Sequence, residues 1–341
     1  MMKVWSIDDS LKTYNIENWG LHYFGVNPKG NLTVQPRQTS MPSIDLKGVV
    51  DDIVARGIKL PVLIRFQDIL RHRVVMLNEA FKRSIEENNY KGKYQGVYPI
   101  KVNQLREVVE EILDAGAPYK FGIEAGSKAE LVASIAMNTN PDSLILCNGY
   151  KDYSIIKTAL TGIKLGKRVI IIVEKLSELT QIMKVAREMG VTPQIGIRCK
   201  LQTTGSGKWA SSGGESAKFG LTTPEILQAV KTLRDENMLS CVKLVHFHIG
   251  SQITDIRTIK DATKKPHVST PNSAKWASIL NSSMWGADWA PITTVPALHS
   301  ILRPTIRFKN MSATSFTRFK RFALLKKFQS QTLSVSRAVR S

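Results

Sequence analysis

The sequence predicts an α/β protein: an incomplete (β/α)8 barrel of about six βα units, followed by a C-terminal tail foreign to it. Three observations carry this expectation. Strand-like and helix-like runs alternate between Tyr94 and Lys264. The strand runs are apolar on both faces, as in a parallel sheet covered by helices. Polar residues stand at or just past the C-terminal ends of successive strands: Lys101, Glu124, Asn148, Glu174, Arg198 and His248. Barrel enzymes gather their chemistry at that end. An open, doubly wound sheet fits the same rhythm, and the strand-end residues favour the barrel over it.

Each element has its own signal. Tyr94–Ile100 reads as the first strand, followed by a helix near Leu105–Ala115. Lys120–Ile123 leads to a helix from Ser127, with Glu130 in the capping-box position. Leu144–Cys147 is followed by a helix over Tyr153–Leu165, and Arg168–Val173 by one over Leu176–Met189. Thr192–Cys199 precedes a loop and a helix opening at Thr222-Thr223-Pro224-Glu225. Val242–His248 is the sixth strand, with a helix starting near Ile253. The expected organisation is an N-terminal segment over 1–90, a partial barrel over 91–264 and a tail over 265–341.

Composition narrows the class. The chain has 341 residues, 43% hydrophobic and 22% charged, which is the balance of a globular enzyme. Three cysteines without C-x-x-C spacing argue against a disulfide framework or a zinc site, so no metal ligands are expected. The opening M-M-K-V-W-S-I-D-D has no apolar leader, and Val169–Val173 is far too short to span a bilayer. A reducing, cytoplasmic setting and no membrane partner are expected. The net charge of +20 invites a nucleic-acid reading, but its distribution argues against one. Residues 265–341 hold 12 basic residues and one acid, Asp288, leaving 36 basic and 27 acidic residues for 1–264. The tail also loses apolar periodicity and is rich in Ser, Thr and Pro, so it is expected to be disordered.

A lysine delivered by a hydrophobic strand to its tip has one demanding use. It can form a Schiff base with an aldehyde cofactor, provided its amine is partly desolvated and held still. The motif Y-P-I-K-V-N-Q around Lys101 resembles the cofactor-lysine motif of the fold-type III pyridoxal-phosphate enzymes, the alanine-racemase-like barrels. The likeness extends through W-S-I-D-D-S, Y-N-I-E-N-W-G, Y-F-G-V-N, F-G-I-E-A-G-S-K-A-E-L, L-I-L-C-N-G-Y-K-D and H-F-H-I-G-S-Q. From about Val4 to Lys264 the chain resembles the biosynthetic arginine decarboxylases, members of the Orn/Lys/Arg/diaminopimelate decarboxylase class.

The resemblance implies pyridoxal 5'-phosphate carried covalently by Lys101, with magnesium as a further family cofactor. His248 matches the histidine that stacks on the pyridine ring, and Ser251 a serine that helps hold the phosphate. Glu124 matches an acidic residue near the cofactor that pairs with this histidine. Read alone, Glu124 fits a carboxylate at a helix N-terminus equally well. Lys218-Phe219-Gly220 resembles the S-V-K-F-G segment of related decarboxylases. His246 shares a face with His248 and has no assigned role. The implied reaction converts L-arginine to agmatine and carbon dioxide, an entry to polyamine and spermidine biosynthesis, in a homo-oligomer. Decarboxylation of a related amino acid, or cofactor binding without catalysis, are the alternatives.

Two family motifs are missing as protein, and the genetic code permits both in a frame moved by one base. Met284-Trp285-Gly286-Ala287-Asp288-Trp289-Ala290 is encoded by ATG TGG GGN GCN GAY TGG GCN. Moved back one base, it permits Asp-Val-Gly-Gly-Gly-Leu-Gly, with Val, the first Gly, Leu and the last Gly forced. That is the family's phosphate-cradling glycine loop. The same shift over Val335–Ser341 permits Glu-Ser-Gly-Arg-Ala-Ile, the segment whose glutamate, by the resemblance, keeps the pyridine nitrogen protonated. Lys264-Lys265-Pro266 is what a Lys-Glu-Ala coding stretch becomes after losing one base. The expectation is a frameshift after Lys264 and a chain that is inactive as it stands.

Overall fold

The computed structural model describes residues 5–38, 43–90, 93–200 and 219–248. These fall into two compact units that divide at Arg73/Val74. The tail after Lys264, the helix expected near Ile253, Lys218 and Ser251 lie outside the described residues.

The first unit opens with α1 (Ile7–Thr13), whose capping box joins Ser6 to Asp9, and α2 (Ile16–Gly20). Strands β1 (Phe24–Val26), β2 (Leu32–Val34) and β3 (Ile44–Asp45) form an antiparallel sheet in that order. Asp45 ends β3 and caps α3 (Leu46–Ala55), accepting the backbone N–H groups of Lys47 and Gly48. The 21-residue α4 (Gln67–Glu87) crosses from one unit into the other.

The second unit contains the βα rhythm. Its elements are β4 (Val97–Pro99), α5 (Arg106–Gly116), β5 (Gly122–Ala125), α6 (Lys128–Met137), β6 (Leu144–Cys147) and α7 (Tyr153–Lys164). They continue with β7 (Arg168–Val173), α8 (Leu176–Met189), β8 (Ile195–Cys199), α9 (Thr223–Asp235) and β9 (Val242–Phe247). All six strands are parallel and lie in the order β4-β5-β6-β7-β8-β9.

That order decides between the two architectures. A doubly wound sheet reverses its strand order at a switch point, and here every strand is added at the same edge. Right-handed crossovers then put α5 to α9 on a single face. The other face packs against itself, with Val97, Leu144, Leu146, Ile170, Ile172 and Leu244 in one buried cluster. This is an arc of a (β/α)8 barrel, open between β4 and β9 among the described residues. The inner face is tight: a Cβ on Gly122 would stand 2.2 Å from the backbone oxygen of Leu144.

Among the differences from the sequence reading, two strand starts and one helix cap have local reasons. The first ladder starts at Val97 rather than Tyr94, whose ring stacks on Phe81 of α4 at 3.8 Å between centroids. Lys120 closes a 3-10 turn in the left-handed region (φ 55°), so β5 begins at Gly122. At α6, Ser127 accepts from the backbone N–H of Glu130, as expected. The Glu130 carboxylate reaches back to Gly126 N–H at 2.7 Å instead of to Ser127. In this unit a full capping box stands at α9, where Thr222 and Glu225 satisfy each other's backbone and Pro224 occupies the first turn.

Candidate active site

Alternation along a strand sends every second residue to the same face. The register places Glu124 beside Leu146, Gly196 beside Ile172 and Leu244, and Arg198 beside His246. Glu124, Arg198 and His246 therefore share the face of the buried inner cluster, at the C-terminal ends of their strands. Asn148, Glu174 and His248 continue the same alternation just past β6, β7 and β9.

Glu124 is buried, and its Oε1 accepts from Asn148 Nδ2 at 3.0 Å. Oε2 has no hydrogen-bond partner among the described residues. Burial pushes this carboxyl above its ordinary pKa, and the charge of Glu174 adds to the rise. The Asn148 hydrogen bond and the charges of Lys101 and Arg198 work the other way. The resemblance pairs Glu124 with His248, whereas its hydrogen-bond partner here is Asn148.

Glu174 Oε1 meets Arg198 Nη1 at 2.5 Å, with both side chains largely buried. Its Oε2 is also buried and unpartnered among the described residues. The Arg198 guanidinium lies 5.6 Å from the Phe219 ring centroid. Gly220 N–H donates to the Glu174 carbonyl at 3.3 Å, and Leu221 N–H to the Arg198 carbonyl at 2.7 Å. Phe219, Gly220 and Leu221 thus lie against the residues of this ion pair.

His248 is half-buried, and its pKa is pushed down to about 4 by burial, then by the charges of Arg198 and Lys101. His246 is fully buried and pushed down to about 3, first by burial and then by Arg198. Both are neutral imidazoles near neutral pH. Neither ring nitrogen of His246 has a partner among the described residues. Lys101 stands two residues past β4, in a 3-10 turn over Ile100–Val102, and is exposed. The described residues do not supply the desolvation that a Schiff-base lysine requires. Ser251 lies outside the described residues.

These shifts give a pH dependence of stability. Between about pH 6.5 and about pH 4 the unfolded chain takes protons on both histidines that the folded chain refuses. Stability therefore falls with falling pH across that window, by up to about 1.4 kcal/mol per pH unit per histidine. Glu124 has the opposite sign: its raised pKa gives a contribution that is lost as pH rises through the folded value. Urea unfolding from pH 4 to 7 is expected to show the histidine slope, and His246→Leu to flatten it by about one proton's worth. An unchanged slope in the variant contradicts the assignment.

A cavity of about 600 Å³ lies at the opposite, N-terminal mouth of the strands, lined in part by Lys93, Arg168, Gln194 and Lys243. Glu124, Glu174 and His246, each with a buried atom unpartnered among the described residues, lie at the C-terminal mouth, where barrel chemistry collects, and that is where we place the site. Sequence reasoning assigned no role to Asn148, Glu174, Arg198 or His246, although their parity along the strands puts them on the inner face. Among the described residues no group of three or more His, Cys, Asp or Glu is arranged to hold a metal ion, and no helix is long and apolar enough to cross a membrane.

Known proteins resemble this chain closely. The biosynthetic arginine decarboxylase of Phocaeicola vulgatus is 50% identical over 264 residues, covering 77% of this chain and 42% of the relative. That of Geobacter sp. strain M21 is 51% identical over 261 residues, 76% of this chain and 41% of the relative. The chain thus spans about two fifths of the length of the curated relatives it matches. Among solved structures, the biosynthetic arginine decarboxylase of Campylobacter jejuni superposes with a TM-score of 0.68 at 30% identity, over 80% of this chain and 43% of that one. A diaminopimelate decarboxylase of Helicobacter pylori shares the fold, at 23% identity and TM-score 0.52 over 70% of this chain and 54% of that one. Residues 75–277 match the family described as pyridoxal-dependent decarboxylase, pyridoxal binding domain, and the chain belongs to that family.

Proposed function

We propose that the C-terminal mouth of the barrel arc binds pyridoxal phosphate on Lys101, and that its chemistry in the intact reading frame is decarboxylation of L-arginine to agmatine and carbon dioxide. The observation that carries this reading is the set of buried atoms without a hydrogen-bond partner among the described residues: Glu124 Oε2, Glu174 Oε2 and both ring nitrogens of His246. A buried polar atom left unpaired costs about 1–3 kcal/mol, so the cluster fits a polar ligand across the strand ends. The cofactor resemblance around Lys101 and the arginine decarboxylase relatives supply the identity of that ligand and of the substrate.

The cofactor, when bound, supplies an electron sink for the pair left on the α-carbon as carbon dioxide departs. The chain's own residues prepare the place. Lys101, exposed at a strand end, offers its amine to the aldehyde. His248 offers an uncharged ring face, since burial and the neighbouring cations keep it unprotonated. Glu124 holds Asn148 through one oxygen and keeps the other free as an acceptor, or as a donor when protonated. Arg198 is oriented by Glu174 and by the Phe219 ring, so its remaining N–H groups have a fixed direction. Ser251 belongs to the phosphate contacts in this reading, with magnesium and a homo-oligomeric assembly as its further elements.

The reading also includes the frameshift. The curated relatives match over 261 to 264 residues, the length of the segment that ends at Lys264. The proposed break falls before the end of the family match at residue 277. Residues 1–90, 91–264 and 265–341 are then the N-terminal segment, the partial barrel and the out-of-frame tail.

The test of the cofactor site is chemical. Incubation with pyridoxal phosphate, borohydride reduction and peptide mapping should yield a pyridoxyl adduct on Lys101. An adduct chiefly on other lysines would sink the assignment.

A further inference from the structure

A second ionic element lies beside the strand-end layer and takes no part in the reading above. The Lys151 side chain has no exposed surface and that of Glu178 is 3% exposed, with Nζ and Oε2 3.3 Å apart. Removing two charges from water is costly, and a pair of well-packed apolar side chains is often as stable or more so. What this pair holds together explains its presence. Lys151 Nζ also donates to the Gly149 carbonyl, and Lys151 N–H donates to Glu178 Oε1 at 3.3 Å. Glu178 Oε2 accepts the backbone N–H of Glu174 at 2.8 Å. One carboxylate in the first turn of α8 therefore ties the loop after β6 to the end of β7.

Both tied segments carry strand-end groups. Asn148, next to Gly149, holds Glu124. Glu174, whose N–H is tied, holds Arg198. The loop is confined further at Gly149, which sits at φ +76° with its missing Cβ 2.3 Å from the Gly126 carbonyl oxygen. The loop thus has little freedom apart from the direction the ion pair sets.

We propose that Lys151 and Glu178 are positioning residues: a buried clamp that fixes Asn148 against Glu124 and Glu174 against Arg198. The proposal rests on the reading that these strand ends form the cofactor site, but the clamp itself is testable without cofactor.

The double variant K151M/E178M removes both charges and keeps the volume. It is expected to unfold cooperatively near the wild-type urea midpoint. Hydrogen exchange read by mass spectrometry should lose protection roughly tenfold in peptides spanning 146–152 and 173–178, while those of α7 and the middle of β7 keep theirs. Pyridoxal phosphate trapped on Lys101 at a fixed concentration should fall roughly tenfold or more, since a misplacement of about 1 Å is costly. Wild-type protection in both strand-end segments overturns the clamp. If the double variant fails to fold, E178Q decides: loosening confined to those two segments supports the clamp, and loss throughout the sheet overturns it. If the wild-type chain takes up no pyridoxal phosphate on Lys101, the function reading fails, and the exchange arm alone still decides the clamp.

Discussion

Restoring one base at codon 264 is expected to raise agmatine production by several orders of magnitude over the chain as it stands. The residues at 284–290 and 335–341 do not spell the glycine loop or the E-S-G-R segment in the present frame. In the proposed reading the glycine loop would hold the cofactor phosphate with backbone N–H groups, and the glutamate would keep the pyridine nitrogen protonated and so strengthen the electron sink. Among the described residues β4 and β9 are edge strands, so Lys101 and His248 lie on the two strands whose outer sides no ladder fixes. Positional errors of about 1 Å cost roughly 10²-fold each, and these losses act together. Agmatine formed from arginine should be measured for both chains, with ornithine and lysine as alternative substrates. Comparable rates in the two chains, or a stop codon soon after position 264 in the restored frame, would end the frameshift account. The nucleotide sequence across codons 262–267 is the direct check.

Lys101→Ala is the second large effect. Lys101 is exposed, so truncating it should change stability by no more than about 0.5 kcal/mol. Lys151, also past a strand end, is buried against Glu178 and committed to Gly149. The pyridoxyl adduct should vanish from its peptide. In the frame-restored chain, the rate of agmatine formation should drop by roughly 10⁴-fold or more, the scale on which loss of a nucleophile is felt. Lys101→Arg should not rescue it, because a guanidinium stays protonated and does not attack an aldehyde. Retained activity, with the adduct moved to Lys151 or Lys175, would overturn the role of Lys101.

Much of this was legible in the sequence by itself. Strands β6 and β7 and helix α8 begin and end where apolar runs and periodicity put them, because those signals are local. The polar residues that close each strand were visible for the same reason, and so was the family, through contiguous motifs. Tertiary structure decided the rest. Strand order, which no local signal carries, made the sheet a barrel arc. Local turn geometry at Lys120 overrode an apolar run and moved the start of β5. The pairing of Asn148 with Glu124 and of Arg198 with Glu174 joins residues 24 apart in sequence. The clamp joins Lys151 and Glu178, and a lysine in N-G-Y-K-D gives no sign that it is buried. Such pairs exist only once parallel strands lie in register. Periodicity tells which face a side chain takes, but only the sheet determines its neighbour across that face.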